Sequence, residues 1–242
     1  MRVFLLLFIL LQFNLFANEN IKSILVVSES WDGYTNKDGS GLYFDVVRAI
    51  YEPVGIKVKV KIYPYSRTTD MVKNKKADLW LASYIDEEDY AVYPKYYFDQ
   101  DVVTAMYKTK YFPNFVGEES LKNKNVCWVR GYDIDEYMDV PVIKNERNDR
   151  KSILLGLEKD RFDFFLDDRD DMQNAIEKNN FDTKAYSFRE LYSFKLYPAF
   201  RDDKRGKILR DIWDKRFEKL LKSGELKKIY VKNNLEGSYL YE

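Results

Sequence analysis

The sequence contains no histidine and a single cysteine, Cys127. Without imidazole there is no His-assisted serine or cysteine nucleophile, no His-ligated zinc and no imidazole proton shuttle. One thiol excludes an intramolecular disulfide and a structural cysteine-zinc site. Charge of one sign is not in excess either, since 40 Lys and Arg balance 40 Asp and Glu. That balance gives no electrostatic ground for binding nucleic acid or an anionic membrane surface. Catalysis, if any, is left with carboxylate, lysine or tyrosine chemistry, and no cofactor is implied.

A long apolar run is also missing. The chain opens MRVFLLLFILLQFNLFANEN, apolar from Val3 to Leu11 but broken by Gln12 and Asn14, which is short of the ~20 residues that span a bilayer. One arginine, an apolar stretch and a small residue, Ala17, followed by polar residues have the layout of a secretory signal peptide. Cleavage after Ala17 is expected, against the alternative of a retained N-terminal anchor. No cysteine follows the run, so a lipid anchor is not expected. The mature chain from residue 18 is expected to be soluble and exported. With no disulfide, its stability must come from an apolar core, and it is long enough to form one or to divide into two lobes. Aromatic residues are abundant, at 17% with 20 Tyr, which suits both a core and a stacking pocket.

Along the chain, KSILVVSES (22–30) reads as a first strand and WDGYTNKDGSG as a loop. Leu42, Val46, Ala49 and Ile50 fall at helical spacing in a segment closed by Pro53 and Gly55. IKVKVKIYPY alternates as a strand with Ile56, Val58, Val60 and Ile62 on one face. SRTTDMVKNKK fits a short helix and ADLWLASY a buried strand. The order β-α-β-α-β predicts a parallel sheet flanked by helices, an α/β fold. A strand is expected over 101–109, and NVCWVRG opens a second series. That series comprises a helix near 134–139, strand VPVIKN, helix RKSILLGLEKD, strand RFDFFLDD and helix RDDMQNAIEKNN. The strand-like YSFKLYPAF then precedes a long amphipathic helix from Asp203 to about Ser223.

The segments DGSGLYFDVVRAIYEPVGIKV, ADLWLAS and WDKRFEKLLKSGELKKIYVKN, in this order and spacing, resemble the periplasmic solute-binding proteins of family 3, which serve ABC-type importers of polar amino acids. The resemblance implies a two-lobed periplasmic binding protein clamp (type II) with two hinge strands and the ligand between the lobes. Residues 1–17 would be the signal peptide, 18–108 with 194–242 the first lobe and 109–193 the second. VVTAMYKT and SFKLYPAF would be the hinges. Hinge closure on a ligand turns binding into a shape change that a partner reads.

In this family the segment after ADLWLAS commonly reads Thr-x-x-Arg, the arginine pairing with a ligand carboxylate. Here it reads YIDEEDYA, and no arginine occurs from Thr68 to Asp101. Ser83, Tyr84 and Glu88 are the expected site residues from this segment. The acidic run is otherwise a solvated turn, since four like charges cannot all be buried. RGYDID matches the family's anion-binding turn: Gly131 is kept, and Arg130 and Asp133 are candidates, with Asp133 also suited to capping a helix. Asp168 matches the residue that pairs with a ligand ammonium, or it caps the following helix. Trp31, Tyr34 and Tyr65 are expected to form an aromatic wall, while Trp80 is assigned to the core and Trp128 is undecided.

These residues imply a non-catalytic, periplasmic, monomeric binding protein for a small polar solute with a cationic amine, presented to an ABC-type permease or a membrane sensor. Arg67 or Arg130 could instead supply a carboxylate clamp. Two alternatives share the fold: an enzyme similar to the cyclohexadienyl dehydratases, and a sensing module without transport.

Overall fold

The computed structural model describes residues 21–241; the expected signal peptide lies outside the described residues. The first series follows the sequence pattern. Strands β1 (Ser23–Ser28), β2 (Lys57–Ile62) and β3 (Leu79–Ser83) alternate with helices α1 (Leu42–Tyr51) and α2 (Tyr65–Lys73). β1 pairs in parallel with β2 and with β3. The lysines of KVKVKI are exposed while Val58, Val60 and Ile62 are partly covered, as a period of two requires. On α1, Leu42, Val46, Val47 and Ile50 are buried on the sheet, so the helical spacing becomes one apolar stripe.

Short β4 (Ala91–Val92) and the long β5 (Asp99–Lys108) follow. The second series comprises β6 (Asn125–Val129), β7 (Ile143–Arg147), α3 (Arg150–Glu158), β8 (Phe164–Asp168) and α4 (Arg169–Lys178). β6 pairs in parallel with β7 and β8. β9 (Tyr186–Arg201) then leads into α5 (Lys204–Ser223) and α6 (Glu225–Lys232). β9 is longer than its sequence pattern suggests. It pairs antiparallel with β5 along the whole of that strand and with β3 at its far end. The resulting strand order is β2-β1-β3-β9-β5-β8-β6-β7, with β4 on β9. β5 and β9 thus carry the chain between two parallel units.

Buried apolar residues separate in the same way. One core draws on residues 21–98 and 196–230, including Trp80, Phe98, Trp213 and Phe217. Two further cores, one on each face of the second unit, draw on residues 103–176 and include Met106, Leu154 and Phe165 on one side and Tyr107, Trp128 and Phe164 on the other. Trp80 is therefore a core residue, as expected, and Trp128 is also fully buried.

The helix expected near 134–139 is a single 3-10 turn, Ile134–Tyr137. Pro141 disfavours helical backbone at Val140 just before it, and Met138 is already extended. Asp133 does not cap this turn with its side chain: its backbone is left-handed at φ 42°, and its carboxylate pairs with Lys144. The following strand starts later than VPVIKN, at Ile143, because Pro141 has no N–H to offer a ladder. Among the described residues no helix is long and apolar enough to cross a membrane.

Candidate functional site

Two local devices aim side chains into the space between the two units. In the loop after β1, Thr35 Oγ1 accepts from the Trp31 N–H and donates to the Glu29 carbonyl. Gly41, at φ 116°, lets the start of α1 lie against that loop, where a Cβ would sit 2.4 Å from the Tyr34 carbonyl oxygen. At the end of β3 the pairing register shifts between Trp80 and Ser83, and Ala82 takes a left-handed φ of 62°. Such a bulge re-aims the residues that follow it.

The space they face is a cavity of about 350 Å³, in the range of small-molecule sites. Its aromatic wall is Trp31, Tyr34, Tyr43, Tyr65, Tyr84 and Tyr132, and its carboxylates are Glu87, Asp99, Asp101, Asp168, Asp170 and Asp171. Gly237, Ser238 and Leu240 of the C-terminal segment complete it. That segment is held by Tyr241, which stacks on Tyr97 and donates to its carbonyl at 2.7 Å, and by Ser238, whose hydroxyl is 3.3 Å from that of Tyr34.

Glu87 is folded back onto the end of β3. It accepts from Ser83 Oγ at 2.6 Å, Tyr65 Oη at 2.8 Å and the Tyr84 N–H at 3.0 Å. Among the described residues no Lys or Arg pairs with it, and burial outweighs these three donors, raising its carboxyl to about 7. At the start of β5, Asp99 and Asp101 alternate onto one face. Asp99 accepts from Tyr43 Oη at 2.8 Å and Asp101 from Tyr84 Oη at 3.0 Å. Burial, reinforced by the neighbouring Asp168, raises Asp99 to about 7 and lifts Asp101 well above the carboxylate range. Asp168 caps α4 by accepting from the Asp170 and Asp171 N–H groups and also takes the Val102 N–H at 2.9 Å. The capping carboxylate also lines the cavity.

A deeply placed cation behind the cavity, Arg150, is already engaged. Arg150, the first residue of α3, makes a two-point contact with Asp167, at 2.7 and 3.1 Å, and reaches Asp171 at 2.5 Å. Its guanidinium also lies 3.5 Å from Glu29 in the other unit and donates to Tyr132 Oη at 2.9 Å. Tyr132 Oη in turn accepts from Trp31 Nε1 at 3.3 Å, and its ring meets Tyr65 edge-on. This cluster joins the two units behind the cavity. Even so, desolvation keeps the Asp171 carboxyl at about 8 against the pull of Arg150. The other cation at the wall, Arg169, turns outward to Glu190 at 2.6 Å, with both side chains more than half exposed.

Of the residues singled out by sequence, Trp31, Tyr34, Tyr65, Tyr84 and Asp168 line the cavity, and Ser83, Glu88, Arg130, Gly131 and Asp133 do not. Ser83 is fully buried and serves Glu87. Glu88 does not line the cavity: its carboxylate hydrogen-bonds with Tyr90 and its backbone N–H donates to Tyr93 Oη, while Glu87, after a left-handed Asp86, lines the cavity instead. Arg130 is exposed, and Asp133 is held by Lys144. Gly131 works one step removed: a Cβ there would sit 2.9 Å from Ser66 Cβ, so its absence lets the two units approach. Arg67 is exposed over the ring of Tyr63. Asp99, Asp101, Tyr43, Tyr132, Arg150 and the C-terminal residues were not singled out. For the first two a signal existed, two acids at i and i+2 leading an apolar strand.

Two expectations follow from the electrostatics. Arg150→Met leaves Asp167, Asp171 and Glu29 buried without their cation, so urea unfolding should show a loss of about 3–5 kcal/mol, larger at pH 8 than at pH 5. In the unmodified protein the carboxyls of Glu87 and Asp99 lie above their ordinary values of 4.5 and 3.8, at about 7 each. Between those limits the folded state holds protons that the unfolded state has released. These two groups therefore cost stability as pH rises from about 4 to about 7. Glu87→Gln should flatten that fall and raise the unfolding midpoint at pH 8.

No protein of curated function matches the sequence. Solved structures of similar fold include a histidine kinase sensor domain with similarity to periplasmic binding proteins, 16% identical, covering 87% of this chain and 95% of that one, TM-score 0.72. An ancestral arginine-binding protein bound to arginine is 19% identical, covering 87% and 97%, TM-score 0.69. An ABC uptake transporter substrate-binding protein from Streptococcus pneumoniae with bound histidine is 18% identical, covering 87% and 92%, TM-score 0.67. Residues 29–236 match the family model described as bacterial extracellular solute-binding proteins, family 3. The fold, the cavity between its units and this match together make the chain a member of that family.

Proposed function

We propose that the protein captures a small, polar, cationic amine between two lobes and presents it to an ABC-type permease or a membrane sensor. The observation that carries this reading is the charge of the cavity wall. Glu87, Asp99, Asp101, Asp168 and Asp170 line it, while Arg150 is engaged by Asp167 and Asp171 and Arg169 by Glu190. An ammonium group gains ion pairs and the faces of surrounding aromatic rings. A ligand carboxylate would meet like charge with no guanidinium to receive it. The same argument opposes the dehydratase-like alternative, whose multiply anionic substrates need cations here. We therefore favour binding without catalysis.

The lobes follow the packing. Residues 18–108 with 194–242 would form one and 109–193 the other, although Val103, Ala105 and Tyr107 pack with the second core and so move the first crossing toward residues 99–102. β5 and β9 would bend as the hinges. Export to the periplasm with cleavage after Ala17 and a monomeric state complete the reading. The likenesses include both a transport protein and a sensor domain, and both outlets are kept.

A thermal-shift panel on the mature chain should respond to primary and quaternary amines and not to organic acids. At a hundredfold excess over Kd the gain is ~2.7 kcal/mol, and Glu87→Gln with Asp168→Asn should remove it. A response to organic acids alone, unchanged by those substitutions, would contradict the proposal.

A further inference from the structure

Two carboxylates of the cavity stand at opposite ends of Tyr84, Glu87 at one and Asp101 at the other, and that side chain measures the distance between them. At one end its backbone N–H donates to Glu87 at 3.0 Å. At the other its phenolic hydroxyl donates to Asp101 at 3.0 Å. The same residue touches a carboxylate through its main chain and another through its tip, so the two lie about the length of a tyrosyl side chain apart. Asp99, Asp101 and Asp168 form the second group: Asp99 and Asp101 share a face of β5, and Asp168 is fixed beside them by the Val102 N–H at 2.9 Å. The ring of Tyr84 spans the two ends, and Tyr65, Tyr132 and Trp31 are further aromatic residues of the cavity wall.

We infer that the ligand is an α,ω-diamine, with one ammonium at Glu87, the other at the Asp99–Asp101–Asp168 end and a short unbranched alkyl chain lying along the aromatic faces between them. This rests on the cationic reading of the cavity and sharpens it. A single ammonium supplies a cation to one end only and leaves the carboxyl groups of the other end buried with hydrogen-bond donors but no counter-charge. An apolar chain suits the aromatic middle, where a polar backbone would lose hydrogen bonds. A basic amino acid has the same two ammonium groups but adds a carboxylate beside one of them, and that carboxylate would face the acids of that end. Burial that holds Glu87 and Asp99 at about 7 supports the arrangement, since each arriving ammonium supplies the charge its carboxylate lacks.

The test is calorimetric titration of the purified mature chain, freed of ligand by unfolding and refolding. The probes are the straight-chain diamines from diaminopropane to diaminohexane, butylamine and pentylamine, lysine, and succinate. One diamine of intermediate length should bind at least about tenfold more tightly than the monoamine of equal length, a difference of ~1.4 kcal/mol. Lysine should bind more weakly than diaminopentane, its counterpart without the carboxylate. Glu87→Gln and Asp101→Asn should each bring the best diamine down to the monoamine level, and Glu87→Gln keeps the test open if the buried Asp101 variant fails to fold. Equal binding of diamine and monoamine overturns the diamine inference and leaves the cationic reading standing. Tighter binding of lysine than of diaminopentane overturns the inference, since a carboxylate then contributes. Binding of succinate with no binding of any amine, or no binding of any probe, overturns both.

Discussion

Arg150 is the charge on which the rest of the arrangement depends. It is the cation that sits deepest behind the cavity, and it is fully engaged by Asp167, Asp171, Glu29 and the Tyr132 hydroxyl. A buried guanidinium surrounded by carboxylates is stable only while all of them remain in place. It is therefore unavailable to a ligand carboxylate, and Arg169, the other cation at the wall, is turned outward to Glu190. It also reaches across, since Glu29 follows β1 while Asp167 and Asp171 belong to β8 and α4. Together with Trp31–Tyr132 and Tyr65–Tyr132, it makes the contact between the two units polar and aromatic rather than a continuous core. Interfaces of that kind permit relative motion.

The acids themselves are placed by elements that serve the fold first. β5 must run between the units, and its opening residues Asp99 and Asp101 are carried into the gap by that passage. Asp168 is needed to cap α4, and its other oxygen ties β8 to β5 through Val102. Glu87 is held by the bulged end of β3. Each therefore combines a structural hydrogen bond with exposure to the cavity. Burial keeps the carboxyls of Glu87, Asp99 and Asp101 reluctant to ionise, which is a cost to stability of the kind binding sites tolerate.

Much of the fold was legible in the sequence because it rests on periodicity. The alternation of KVKVKI, the helical stripe from Leu42 to Ile50 and the β-α-β order led to parallel sheets, while the family came from the resemblance of three segments, DGSGLYFDVVRAIYEPVGIKV, ADLWLAS and WDKRFEKLLKSGELKKIYVKN. The aromatic wall was legible from position, since Trp31, Tyr34 and Tyr65 follow strand ends. Within the acidic run the sequence pointed to Glu88 where Glu87 faces the cavity. A one-residue difference of this kind depends on the bulge at Ala82 and the left-handed turn at Asp86, which no periodicity encodes. Arg150 read only as the start of a helix, because its partners lie 17 and 21 residues later and 121 residues earlier in the chain. The C-terminal wall, Gly237, Ser238 and Leu240, depends on where the last turn docks against Tyr34 and Tyr97, a tertiary outcome without a local signature.

On the cationic reading, an arriving ammonium replaces protons held by the buried carboxyls of Glu87 and Asp99. Isothermal titration of an amine ligand in two buffers of different ionisation enthalpy measures that exchange. Net proton release on binding is expected near pH 6.5, fading as pH rises past the carboxyl values of about 7 and reduced in Glu87→Gln. Proton uptake, or binding with no proton exchange across that range, would contradict it.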